Sequence, residues 1–230
     1  MALNPSRHWL AIELSRFGQS IPKGALVLDA GSGDQRYHVY FQHCTYESAD
    51  FEQVNKAYAQ STYVCDLSNI PVAAERYDAI VFTQVMEHLP EPAAVVREFC
   101  RVLKPGGRIF YSAPLFFHEH EVPYDFMRYT QYGVRSIFER SGFLVTEVQW
   151  LEGYLGTVSY KFLRMGKSLP LHPHAYGGGV AGLALASAFG LLRLFMRPLA
   201  WLAAQADCRH RWIGSGFPLN YFGVFEKPRA

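Results

Sequence analysis

The sequence predicts an α/β protein in which a mostly parallel sheet carries helices on both faces and ends in an antiparallel last strand, with a hydrophobic helical insertion ahead of that strand. Short apolar runs alternate with segments of helical period, and several of the runs stop at an acid followed by turn residues. Strands alternating with helices require right-handed crossovers and therefore a parallel sheet. Such a sheet binds ligands beyond the carboxyl ends of its strands. At 230 residues, half of them hydrophobic, the chain can bury a full core.

Trp9, Leu10, Ile12, Leu14 and Phe17 recur at helical spacing ahead of Gly18, which predicts a helix over 5–17. Ala25 to Asp29 (ALVLD) is a buried strand that runs into the tight turn Gly31-Ser32-Gly33, after which a helix is expected. Thr45 to Ala49 and Thr62 to Cys65 are weaker strands, followed by Asp50 and Asp66, and Tyr77 to Thr83 is the clearest buried strand. Ala93 to Leu103 has helical periodicity and is stopped by Lys104-Pro105-Gly106-Gly107, after which Arg108 to Ala113 forms a fifth strand. A helix over 130–142, a strand over 143–149 and a last strand over 219–226 complete the pattern.

The net charge of +2 gives no field that would draw in a nucleic-acid backbone, so no nucleic-acid partner is expected. Cys44, Cys65, Cys100 and Cys208 form no CxxC pair, which argues for reduced thiols in a cytoplasm rather than a disulfide framework or zinc site. The N-terminal stretch carries Arg7, Glu13 and Arg16 and does not read as a secretory signal.

The glycine turn can bring backbone N–H groups close to a ligand. A dinucleotide fingerprint needs a third glycine where this chain has Arg36, so a nicotinamide-dependent oxidoreductase is the weaker reading. A carboxylate at Asp50 can accept from a ribose diol and one at Asp66 from an exocyclic amine, an arrangement that reads an adenosine. Any one of these acids alone would by default cap a loop or helix.

VLDAGSG (27–33), CDLSNIP (65–71), YDAIVFTQVMEHLPEP (77–92) and RVLKPGGRIFYSAP (101–114) together resemble the class I S-adenosylmethionine-dependent methyltransferases, in particular the bacterial small-molecule, type 11-like group. The resemblance runs from about Ala25 to Phe143. It implies a Rossmann-like cofactor domain over 1–150, a hydrophobic helical insertion over 151–216 and a final strand within 217–230. It also implies that Asp29 positions the amino-acid end of S-adenosylmethionine, and that Gly31 and Gly33 approach it through backbone. Asp50 with Phe51 would hold the ribose side, Asp66 with Leu67 the adenine, and Gln84 the methionine side; the product would be S-adenosylhomocysteine. The group often has glycine where this chain has Gln35, so a side chain there is expected to narrow the mouth of the site. His88 either packs at the start of the following helix or acts as a base. A cofactor-binding protein without turnover remains a rival class. A nucleic-acid methyltransferase is disfavoured because FTQVME lacks the [DNS]-P-P-[YF] turn that holds a flipped base.

Methyl transfer from a sulfonium neutralises charge, so the protein mainly aligns the reactants and excludes water, with a base where the acceptor carries a proton. Residues 114–130 (PLFFHEHEVPYDFMRYT) are dense in suitable groups. His120 or His118 is the expected base, oriented by Asp125 or Glu121, and Arg128 pairs with a carboxylate in the protein or on an anionic acceptor, with Tyr124 and Tyr129 as further acceptor-binding candidates. Glu121, Asp125 and Arg128 could instead pair only with one another in a lid. His118 and His120 could chelate a metal if extended, yet the sequence places no third or fourth ligand, and no metal is expected. The family members with this pattern point to a small, hydroxylated, sugar-like or lipid-linked acceptor.

Residues 177–205 carry only Arg193 and Arg197 as charges. Each would cost about 2.5 to 3.5 kcal/mol at a bilayer centre, and Pro198 interrupts the hydrogen-bond ladder. The segment is expected to cover the acceptor pocket, to form a homodimer contact, or to lie on a membrane surface through 180–204.

Overall fold

The computed structural model describes residues 4–53 and 58–229. Its sheet has seven strands in the order β3-β2-β1-β4-β5-β7-β6: β1 Leu26–Ala30, β2 Thr45–Asp50, β3 Tyr63–Val64, β4 Tyr77–Thr83, β5 Leu103–Pro114, β6 Leu144–Trp150 and β7 Asn220–Glu226. β1 to β5 pair in parallel; β7 runs antiparallel between β5 and β6. Helices are α1 (Pro5–Gln19), α2 (Pro92–Val102), α3 (Gln131–Arg140), α4 (Tyr154–Ser168) and α5 (Gly179–Arg209). The order of the sheet reverses between β1 and β4, which places the carboxyl ends of β1, β2 and β4 around one crevice.

β1 and β4 are central because they are apolar on both faces: Val27, Leu28, Ile80, Val81 and Phe82 are all fully buried. α2 starts on Pro92, which suits a first-turn position, and buries Val95, Val96, Phe99 and Val102 as one stripe against the sheet. Phe99 meets Phe82 edge-on at 4.9 Å, and on the α3 side Phe138 stacks on Phe225 of β7 at 3.7 Å. α3 is capped by the Thr130 hydroxyl, which accepts from the Gly133 N–H at 3.3 Å.

The helix expected after the glycine turn is not formed. The chain makes turns and a short 3-10 segment, His38–Phe41. Gln35 sits at φ +54°, a left-handed conformation that interrupts any helix there, and Asp34 is drawn onto its neighbour Arg36 at 2.7 Å. β5 begins earlier than expected, at Leu103; the residues from Lys104 to Gly107 bulge out between the pairs Tyr77–Leu103 and Ala79–Arg108.

The described residues divide into two units, one within 10–151 together with 220–229, the other 152–219 together with 4–9. The first holds the sheet. In the second, α4 lies against α5. The Ser159 hydroxyl donates to the Ala200 carbonyl at 2.8 Å, and buried Asp207 accepts from the Trp9 indole at 3.0 Å and the Gly153 N–H at 3.4 Å. A Cβ at Gly153 or Gly156 would meet the Asp207 carboxylate at 2.5 and 2.8 Å, so these glycines permit the approach. Only 17% of the most apolar stretch of α5 is buried.

Candidate active site

A cleft of about 430 Å³ opens at the carboxyl ends of β1, β2 and β4. Gly31, at φ +78°, begins its floor, and its N–H donates to the Ala49 carbonyl at 2.8 Å. A Cβ on Gly31 would overlap the Val85 side chain, so glycine is required there on two counts. Gly33 donates its N–H to the Asp50 carboxylate at 2.8 Å, and the other Asp50 oxygen accepts from Glu52 N–H at 3.0 Å. A carboxylate offers about four lone-pair sites, so Asp50, which lines the cleft, keeps acceptor capacity for a diol.

Phe51 is 44% exposed, lines the cleft and meets Tyr124 edge-on at 6.3 Å. Asp66 and Leu67 form the far wall; one Asp66 oxygen accepts from the Ser68 N–H, and the side chain is otherwise exposed. Gln84 also lines the cleft, at φ +56°, with its N–H on the Ser112 carbonyl at 2.7 Å; this left-handed residue ends β4 and turns residues 85–88 across the opening. Asp29 is buried in β1 with the Tyr46 hydroxyl donating to it, and burial pushes its carboxyl up to about 7. Gln35 turns away from the opening, its amide donating to Ser48 Oγ and the Gln60 carbonyl.

The segment beyond β5 is docked on the turn Met86–His88 that follows β4. The Glu87 carbonyl accepts from the Phe126 N–H at 2.8 Å, and His88 Nδ1 donates to the Tyr124 carbonyl. Arg128 grips Asp125 with two nitrogens, at 2.5 and 2.8 Å, and holds the Asp125 carboxyl well below the usual range. The lid-like pairing therefore forms between Arg128 and Asp125. Glu121 lies apart from it, 3.9 Å from His88 Nε2. The Tyr129 phenol is half-buried and pushed up to about 12 by burial.

The three candidate histidines are placed differently. His88 lines the cleft with Glu121 and Tyr124. The His120 ring stands edge-on to that of His88 at 4.7 Å, with Nδ1 at 3.3 Å from Asp125. His118 is exposed and its ring lies 6.1 Å from that of His120.

Glu87 is a functional candidate that sequence reasoning misses. It is fully buried, neither side-chain oxygen finds a hydrogen-bond partner outside its own residue, and burial pushes it up to about 8. A charged residue on a polar-looking turn gives no sign of such burial. The signal in the sequence is its place four residues past the end of a buried strand and next to His88.

The size of the cleft suits a nucleoside with an attached amino acid. Asp50 and Asp66 supply hydroxyl and amine acceptors, Phe51 an aromatic face, and the buried Ser32 hydroxyl beside the glycine turn has no partner of its own. These residues fit S-adenosylmethionine.

A methyltransferase domain family model matches residues 7–148, more than half of the chain. A ubiquinone biosynthesis O-methyltransferase of Serratia proteamaculans is 41% identical over 59 residues, 26% of this chain and 23% of that protein, so the match spans about a quarter of that relative. Two solved structures share the fold. A methyltransferase of Haloferax volcanii in complex with the Trm112 methyltransferase activator has a TM-score of 0.61 at 15% identity, covering 97% of this chain and 91% of that one. A phosphoethanolamine N-methyltransferase of Haemonchus contortus in complex with S-adenosyl-L-methionine has a TM-score of 0.55 at 15% identity, over 96% of this chain and 52% of that one. A family match over residues 7–148, which takes in β1 to β5 and the cleft at the switch point of the sheet, makes this chain a member of the methyltransferase domain family, with the Rossmann-like fold of class I S-adenosylmethionine-dependent methyltransferases.

Proposed function

We propose that the chain transfers a methyl group to a hydroxyl oxygen of a small polar acceptor, sugar-like or lipid-linked, held between the cofactor cleft and residues 118–129. The observation that carries this reading is the lone pair of His88 Nε2. The Tyr124 carbonyl can only accept, so Nδ1 carries the proton and Nε2 is left facing Glu121 on the wall of the cleft. An acceptor hydroxyl has its proton drawn off on that side. The O-methyltransferase named among the relatives supports oxygen as the methylated atom.

In this reading Asp50 and Phe51 hold the ribose side, Asp66 and Leu67 the adenine, and Gly31, Gly33 and Gln84 the methionine side, with Asp29 fixing the end of β1 through Tyr46. When bound, S-adenosylmethionine supplies an electrophilic sulfonium methyl and leaves as S-adenosylhomocysteine, the sulfur keeping the electron pair of the broken bond. Asp125 and Arg128 stiffen the acceptor-side loop, and Phe126 and Tyr124 exclude water from the opening. Turnover with a panel of hydroxylated acceptors tests the reading. Product carrying the methyl on oxygen is expected; methylation solely on nitrogen or carbon would overturn it.

We infer in addition that α5 lies on a lipid surface. Val180, Leu183, Leu191, Leu194, Phe195 and Leu202 are each more than half exposed on a face without an acid, and the charge of Arg193 is satisfied within its own unit by the Gly166 and Leu169 carbonyls. Flotation with phospholipid vesicles is expected to carry the protein, and Leu194→Glu with Phe195→Glu to abolish it. A dimer in solution with no vesicle binding would instead assign the face to a second copy.

A further inference from the structure

We propose that Glu87, His88 and His120 form a binding site for a divalent transition-metal ion, Zn²⁺ by donor chemistry, with its open coordination position facing the cleft. One ligand atom from each residue lies within 4.8 Å of the others. Ligand atoms around a tetrahedral Zn²⁺ with bonds of about 2.0 to 2.1 Å stand about 3.3 Å apart, so the ligand atoms must draw together by up to about 1.5 Å on binding.

Three independent features point to a cation. Glu87 is wholly buried and neither of its side-chain oxygens has a hydrogen-bond partner outside the residue, so two buried polar atoms are left unsatisfied beside His88. His88 is held by a hydrogen bond from Nδ1 to the Tyr124 carbonyl, which leaves the Nε2 lone pair 3.8 Å from one carboxylate, Glu87, and 3.9 Å from another, Glu121. A positive ion placed there would meet the lone pair and an oxygen of each acid at once. The same outer arrangement recurs at His120, whose Nδ1 lies 3.3 Å from Asp125 and 3.2 Å from the His118 carbonyl. Metal-ligating histidines are oriented by this kind of bond from the second nitrogen to a carboxylate or carbonyl.

No lysine or arginine among the described residues forms an ion pair with Glu87. Arg128, whose charge acts on Glu87 from a distance, spends its guanidinium on Asp125 and the His118 and Met127 carbonyls. Glu87 and His88, at 3.8 Å, are too far apart to share a proton directly. Two imidazoles and one carboxylate favour a first-row transition ion over Mg²⁺ or Ca²⁺, which prefer all-oxygen shells. The sequence places no third ligand beside His118 and His120. The structure supplies Glu87 and His88 from the turn after β4 and leaves His118 outside.

His88 and Glu121 both line the cleft, so the fourth position opens toward the acceptor. This part rests on the hydroxyl-methylation reading and changes the part of His88 in it: with the Nε2 lone pair on a cation His88 no longer takes the proton, and the cation would instead polarise the acceptor hydroxyl, whose proton passes to solvent as the oxygen takes the methyl group. Occupancy by the metal does not depend on that reading.

The test is zinc titration of the chelator-treated full chain, followed by calorimetry and metal analysis, with Co²⁺ absorption as a second probe and S-adenosylhomocysteine affinity measured in parallel. One ion per chain is expected. Glu87→Gln and His120→Ala should each weaken it about tenfold or more while S-adenosylhomocysteine affinity stays within about threefold. His120 is partly exposed, so its variant keeps the test open if Glu87→Gln does not fold. Wild-type protein that takes up no stoichiometric ion, or Glu87→Gln that binds it unchanged, would overturn the site. His172 and His174, both exposed with stacked rings 5.0 Å apart, are the competing imidazole pair, and loss of the ion in His172→Ala rather than in these variants would assign it to them and overturn the proposal too. Metal bound as expected in a protein that methylates no hydroxyl would leave the site standing and reject the acceptor reading alone.

Discussion

Arg193 and Asp207, both on α5, hold opposite ends of α4. Asp207 receives the Gly153 N–H at the N-terminus of α4, and Arg193 donates to the Gly166 and Leu169 carbonyls at its C-terminus, at 2.8 and 3.3 Å. The two residues are separated by about 21 Å of helix, matching the ~22 Å length of α4. Each charge has the sign that complements the helix dipole it faces. The arginine that looks misplaced in an apolar run is thus the C-terminal clamp of a neighbouring helix.

Arg193→Met is accordingly expected to destabilise the helical unit by about 1 to 3 kcal/mol, the scale of hydrogen bonds from a charged donor. A lowered unfolding midpoint with cofactor affinity unchanged is the expected result. An unchanged midpoint would show that the clamp contributes nothing.

Gly31→Ala is expected to be costly for two separable reasons. The left-handed backbone costs about 1 to 2 kcal/mol for any L side chain, and the new methyl would overlap the Val85 side chain. Adding Val85→Ala should restore the packing part and leave the backbone part. Denaturant unfolding of the single and double variants checks this, and equal losses in both would place the whole cost in the backbone.

How far the fold is legible from sequence follows from particular residues. β1 and β4 announce themselves because burial on both faces forces continuous apolar runs in place of alternation; in β4, Tyr77 to Thr83 matches the expected strand residue for residue. The β1–β2 connection escapes a local reading because the left-handed backbone at Gln35 is set by tertiary bonds to Ser48 and Gln60, which no local pattern encodes. In the site, the strand-end acids are readable from their positions. The burial of Glu87 is not, because it arises from the loop around Phe126, far along the chain, folding over it with the Phe126 N–H on its carbonyl.

Asp29 makes stability depend on pH in a defined direction. Burial raises its folded carboxyl from 3.8 to about 7, with Asp50 and Asp34 adding repulsion and the Tyr46 hydroxyl partly opposing it. The folded chain therefore holds a proton that the unfolded chain releases, so this contribution is complete below about pH 4 and is lost as the pH rises to about 7. Asp29→Asn should flatten that part of the profile, leaving a smaller loss of stability between those limits than in the wild type. Parallel profiles from chemical denaturation would show the carboxyl to be ionised throughout.

Asp50→Ala is expected to weaken S-adenosylmethionine binding by about 1.5 to 3 kcal/mol, the range for hydrogen bonds to a charged group. Part of the loss is indirect, because the Gly33 and Glu52 N–H groups lose their acceptor. Asp50→Asn keeps one acceptor oxygen and should lose less. Calorimetry that finds both variants equal to wild type would remove Asp50 from the ribose site.

The histidines separate cofactor binding from acceptor chemistry. His88 faces the cleft and His120 stands against its ring, whereas His118 is exposed and contributes its carbonyl to the Arg128 guanidinium. A carbonyl survives substitution of its side chain. His118→Ala should therefore keep turnover within about threefold, while His88→Ala and His120→Ala lower kcat by about 10²-fold or more, the usual scale for loss of proton-transfer assistance. Affinity for S-adenosylhomocysteine should stay within about threefold in all three, because Asp50, Phe51, Asp66 and Leu67 are untouched. Full turnover in the His88 and His120 variants would leave alignment and exclusion of water as the whole mechanism. Loss of S-adenosylhomocysteine binding in either would place that histidine in the cofactor site instead.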